Sequence, residues 1–192
     1  MAKTKLPMKW IAIGIVALVV IVLVFGFIGM YNGFVIKEQN YMAKWSEVES
    51  QYQRQADLIP NLVGILKDYQ QFETDVLTDI TKLRSQWQES TSLVEKDTVG
   101  QEMTGSLGRL IATFEAYPEL KTIEAVNNMM DELAGTQNRI TVARGRFIES
   151  VQIFNTGIKV FPANVFAGMF GFEAAEYFEA TEGIDSSVDL DL

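Results

Sequence analysis

The chain has 192 residues, 48% of them hydrophobic, and a formal charge of −9, which suffices for one membrane span and one domain of ordinary size. It contains no histidine and no cysteine, which removes the commonest general base and metal ligand, the thiol nucleophile, disulfides and lipoprotein attachment together. All 25 acidic residues follow residue 30, against 13 of the 16 basic ones, so the part beyond it carries −12 and is repelled by nucleic acid and anionic surfaces.

Residues 11–30 carry no charged or strongly polar side chain, the length a helix needs to cross about 30 Å of hydrocarbon. A membrane helix over 10–30 follows, with residues 1–9 as a short tail. The run exceeds a signal-peptide core and lacks a small-x-small cleavage site after it, so the reading is a retained anchor. Lys3, Lys5 and Lys9 precede it without an acidic residue among the first nine, which keeps the N-terminus in the cytoplasm and the rest of the chain outside.

Beyond the span the hydrophobic period is helical. Tyr41, Trp45, Val48, Tyr52 and Ile59 form a first seam, with Gln55 as its polar interruption. Phe34 extends it backward, and only Gly33 stands between it and the span, so the two can form one continuous rod. Pro60 predicts a break, because the residue before a proline is pushed out of the helical region. A second helix is expected from about Ile59 along Leu62, Leu66, Tyr69, Glu73, Val76, Ile80, Leu83 and Trp87. Residues 89–97 read as a polar loop. A third helix follows through Met103, Leu107, Leu110, Phe114 and Tyr117, weakened by Gly100, Gly105 and Gly108. Pro118 is expected to open a long fourth helix, Ile123 through Phe161, ended by Pro162. The expected fold is all-α: an N-terminal transmembrane helix followed by an antiparallel four-helix bundle with long helices over 31–162, an aromatic segment over 163–180 and an acidic flexible tail over 181–192.

Little chemistry is left to such a chain. A catalytic triad, a di-iron site, a phosphate-binding loop and a dinucleotide fingerprint are all absent from the sequence. No catalytic, cofactor-binding or metal-binding residue is expected. Glu73 is the one carboxylate in the strongest seam, where such charges more often set register than catalyse. Arg144 is a candidate partner for it, which helix-rise arithmetic disfavours and offset turns would restore. Arg54, Asp57 and Asn61 surround Pro60, as a small polar binding site or as capping and turn residues. The aromatic segment contains Phe161, Phe166, Met169, Phe170, Phe172, Tyr177 and Phe178. It can plug the chain's own open end, lie in the membrane interface or dock on a neighbour. Glu173, Glu176 and Glu179 disfavour anionic headgroups and favour a protein contact over the interface.

Several motifs carry a family resemblance. Tyr31 and Asn32 follow the span, and Lys44 and Trp45 follow in turn. RQADLIPNL occupies 54–62, ELAGTQNRITVAR 132–144, and FPANVFAGMFGF 161–172, with Tyr177 and Phe178 after it. Over 31–180 the chain resembles the LemA family. Departures are Phe72 before Glu73 where the family has a histidine, Gln137 for a glutamate, and Phe154 with Asn155 for a terminal Tyr-Asn pair. The missing histidine speaks against chemistry resting on it. The resemblance implies a bacterial cytoplasmic membrane protein with one span and an outward-facing helical bundle. The function expected is non-enzymatic: a self-assembling scaffold or interaction module, partnered by the membrane, copies of itself and other envelope proteins, but not by nucleic acid. A sensor binding a small ligand or partner through the bundle is the alternative, and a hydrolase using Glu73 ranks third.

Overall fold

The computed structural model describes residues 8–67 and 74–178. Among them every regular element is a helix. Helix α1, Met8–Lys67, runs for 60 residues without interruption. Over its apolar stretch the large side chains point outward on all sides, with Leu18 60% and Phe25 70% exposed. A helix that is apolar all round and uncovered suits a hydrocarbon surrounding, and α1 is long and apolar enough to cross a membrane.

The break expected at Pro60 does not occur, because Pro60 lies inside α1. A mid-helix proline leaves the carbonyl four residues earlier without its usual donor. Here that carbonyl is Ala56 O, and Arg84 Nε donates to it at 2.9 Å. The proline itself is on the exposed side. Residues 68–73 lie outside the described residues, and with them Tyr69, Phe72 and Glu73. Helix α2 is Thr74–Glu89.

The loop expected over 89–97 is much shorter, because helix α3 already begins at Leu93 and runs to Phe114. Ser92 caps it, accepting from Glu95 N at 3.1 Å, while Glu95 reaches back to accept from Thr91 N. This resembles a capping box, with the reciprocal bond taken one residue earlier, at Thr91. Pro118 does not open the long helix either. A single 3-10 turn, Leu120–Thr122, and an extended Ile123 intervene before helix α4, Glu124–Lys159. The aromatic segment contains a short helix, α5, Ala163–Phe170, which the hydrophobic period alone does not separate. It stops at Gly171, whose φ of +77° suits glycine, with Phe172 N donating to Ala167 O.

Among the described residues the chain divides into two compact units, 8–41 with 150–175, and 42–67 and 74–149 with 176–178. In the first, Phe34, Phe154, Ile158 and Ala167 form a buried cluster ringed by Met30, Tyr41, Phe166, Phe170 and Phe172. In the second, α1 to α4 each contribute buried apolar residues, among them Tyr52, Leu62, Ile80, Leu107, Leu133 and Phe147. Paired residues along α1 and α4 run in opposite order, Trp45 with Phe147 and Arg54 with Glu132.

Candidate functional site

The most polar point of the second unit's interior is Asp97, only 2% exposed. It sits early in α3, on the same side as Gly100 and Met103, one and two helical steps of three onward. Arg144 of α4 grips it with two bonds, Nε to Oδ1 at 2.9 Å and Nη2 to Oδ2 at 3.0 Å. Tyr52 of α1 donates its hydroxyl to Oδ1 at 3.0 Å, and Gln101 donates to Oδ2 at 2.8 Å. The carboxylate therefore has donors from three helices, and its acceptor sites are largely occupied. Burial, followed by the charge of Asp97, pushes the Tyr52 phenol well above its usual range, with Arg144 acting in the opposite direction. Tyr52 stays protonated and remains a donor. Gly100 makes this convergence possible, because a Cβ there would lie 2.7 Å from the Tyr52 ring.

Beyond Asp97 lies a second polar contact set, in which Thr104 Oγ1 donates to Gln55 Oε1 at 2.9 Å and Gln137 donates to Thr104 O. Lys96 pairs with Glu49 and stands over the Trp87 ring. These are helix-to-helix ties. Among the described residues no group of three or more acidic side chains is placed to hold a metal ion.

Arg144 is thus brought to Asp97. Arg54 pairs with Glu132 of α4 through Nε at 3.1 Å and Nη2 at 2.6 Å. Asp57 accepts from Gln53 at 2.8 Å, one turn earlier. Pro60 and Asn61 are exposed. The side chains of Arg54 and Asp57 thus have different partners, Glu132 of α4 for the one and Gln53 of α1 for the other.

The aromatic residues divide. In the first unit, Phe166 and Phe170 pack edge-on against Phe27 with centroids 5.6 and 4.6 Å away. Phe170 and Phe172 also meet Tyr31 and Phe34. Asn155, itself buried, donates to Ala175 O and accepts from Ala175 N, both at 2.8 Å, and so pins the segment after α5. In the second unit, Phe178 stacks on Phe147 at 4.3 Å, meets Trp45, and lies beneath the guanidinium of Arg144. Phe161, Met169 and Tyr177 are 84%, 69% and 49% exposed.

Sequence reasoning missed Asp97 by placing it in a loop. Two signals would have found it. Ser92 with Glu95 marks a helix start, and stepping back in threes from Met103 puts Gly100 and Asp97 on the core seam.

The second unit also has an open groove of about 670 Å³ along α1 and α4. Small side chains line it, Ala43, Ser46 and Ser50 from α1 and Ala143 from α4, with Glu47, Arg139 and Arg146 also on its walls.

Among the described residues the chain is all-helical, with one helix long and apolar enough to cross a membrane and a buried ion pair that ties α3 to α4. The chain belongs to the LemA family, whose model matches residues 44–191. It is similar to magnetosome proteins MamQ 1 and MamQ 2 of Paramagnetospirillum magneticum, at 24% identity over 184 residues, covering 82% of this chain and 68% of either relative. MamQ of Magnetospirillum gryphiswaldense is 25% identical over the same coverage.

Proposed function

We propose that this protein is a non-enzymatic scaffold, anchored in the cytoplasmic membrane by the apolar part of α1, whose helical unit self-assembles at the outer face of that membrane and holds other envelope proteins there. The observation that carries this reading is the groove along α1 and α4. Ala43, Ser46 and Ser50 keep the groove floor low over about two turns, or roughly 10 Å of helix. A helix can settle between two others where side chains are that small. Val142 contributes an apolar contact beside it, and both signs of charge are available at Glu47, Arg139 and Arg146 to fix a register. Asp97, the most enclosed acid among the described residues, supports the non-enzymatic part of this reading, because its oxygens are already engaged by Tyr52, Gln101 and Arg144. The family, and relatives named for the magnetosome and not for a reaction, are in keeping with it.

The test is the mass of the full chain in mild detergent. A multiple of the monomer is expected, falling to monomer when Ser46→Leu and Ser50→Leu fill the groove. A monomeric natural chain would sink the self-assembling scaffold. A sensor is the second reading, favoured by the unbroken course of α1 from the apolar stretch to Lys67. In that case a small ligand would raise the melting temperature of the natural chain, and the groove variants would leave its mass unchanged.

A further inference from the structure

We infer that α5 is an interfacial helix whose outward face enters the bilayer at the level where the apolar stretch of α1 ends. The inference rests on the membrane-anchored reading above and deepens it by assigning the surface that the short helix presents.

Phe27 fixes the level. It belongs to the apolar run that closes at Met30, about 4.5 Å short of its end at 1.5 Å per residue. Phe166 and Phe170 of α5 both pack on Phe27, and Phe170 continues onto Tyr31. If the run is in hydrocarbon, the helix that touches Phe27 lies at the boundary between acyl chains and headgroups. Tyr31 stands where aromatic residues with a polar end are enriched.

The other side of α5 is uncovered and mostly apolar, with Asn164 as its one exposed polar side chain. Val165 and Met169, one helical turn apart, are 54% and 69% exposed, and Phe161, just before the helix, is 84% exposed. Ala167 on the reverse side is buried in the first unit's core. No charged residue occurs from 160 to 172. Embedding that face to the ~5–10 Å typical of interfacial helices therefore desolvates no charge. The uncovered surface is also continuous in kind with that of α1, where Phe25 is 70% exposed. Lys159, exposed at the end of α4, can extend its ammonium to the phosphate layer. The occupant of the face is thus the lipid leaflet, through its acyl and glycerol region and without a requirement for anionic headgroups. Glu173, on the far side of Gly171, makes strongly anionic surfaces the poorer choice.

The absence of native cysteine permits a direct test. The full chain is reconstituted in phosphatidylcholine vesicles with a nitroxide on a single cysteine, at Val165→Cys or Met169→Cys. Phe25→Cys serves as the lipid reference and Lys82→Cys, on a polar exposed position, as the water reference. Collisions with oxygen and with a water-soluble nickel chelate are then measured by electron paramagnetic resonance. The expected result is loss of nickel accessibility at 165 and 169 toward the Phe25 value, with oxygen accessibility retained. Nickel accessibility equal to that at 82 while Phe25→Cys reports lipid would overturn this inference and leave the anchor standing. Labels shielded from both reagents would also overturn it, making the occupant protein. A water-like signal at Phe25→Cys would remove the anchor and this inference together.

Discussion

Asp97 shows how one residue can set the arrangement of a helical unit. A carboxylate 2% exposed is unfavourable unless its charge is balanced and its lone pairs are bonded. The two parallel bonds from Arg144 supply the charge and a planar, two-point geometry that a lysine would not reproduce. Tyr52 and Gln101 satisfy further lone pairs. Removing one member leaves the other in the interior without its partner, which for a buried pair costs about 3–5 kcal/mol. Asp97→Ala is therefore expected to lower stability by about 3 kcal/mol or more, read as a shift of the urea midpoint by circular dichroism in detergent. Replacing both charges with apolar groups of similar volume, Asp97→Leu with Arg144→Met, removes the unpaired charge and is expected to recover most of the loss. If the double variant is no more stable than Asp97→Ala, the pair does more than cancel charge. The stacked Phe178 is then the first place to look, because it lies beneath the same guanidinium.

Helix α1 presents the corresponding problem for an element. A proline in a helix interior costs about 3 kcal/mol, in part through the carbonyl it orphans. Ala56 is fully buried, so water is a poor substitute donor there, and the half-buried Arg84 supplies the bond from α2. The helix stays unbroken because a second helix provides the missing donor. Arg84→Ala is expected to destabilise by about 1–3 kcal/mol, the desolvation penalty of an unsatisfied buried acceptor. In a Pro60→Ala background the restored N–H takes the Ala56 carbonyl, and the same Arg84→Ala change is expected to lose most of its effect. Equal losses in both backgrounds, measured as a double-mutant cycle, would mean that Arg84 acts elsewhere. The sequence could not show this tie, since the partners are 28 residues apart and Pro60 by itself reads as a boundary. The helical class, the uncovered apolar run, the seams through Trp45, Val48, Ile59, Met103, Leu107 and Phe147, and the end near Pro162 were legible, because each rests on local period or a local breaker. The misplaced features, the Pro60 break, the long loop before α3 and the opening at Pro118, are boundaries decided by capping and by long-range donors. Gly100 belongs with them. Its sequence says weak helix, while its place beside the Tyr52 ring says close approach.

At the scale of the whole molecule, the distribution of charge bears on the side of the membrane each part occupies. Three lysines precede the apolar stretch, and the −12 charge of the remainder lies after it. Basic residues flanking a first span are retained on the cytoplasmic side, whereas acidic residues and long domains have little influence on the choice. The remainder should then lie outside, which is also the side on which α5 would meet its leaflet. Because the natural chain lacks cysteine, a single Lys82→Cys reports the orientation: a membrane-impermeant maleimide should label it in intact cells without lysis. Lys37 and Lys44 are the first basic residues after the stretch. Changing Lys3, Lys5 and Lys9 together to Gln leaves these two as the nearest positive charges, which reverses the bias across the span. The labelled fraction is then expected to fall as part of the population inserts the other way, with lysis restoring full labelling. Labelling of the natural chain only after lysis would place the helical unit in the cytoplasm and overturn the outward-facing scaffold. It would leave the helix-to-helix ties of Asp97 and Arg84 intact, since those depend on packing within the chain and not on the side of the membrane it faces.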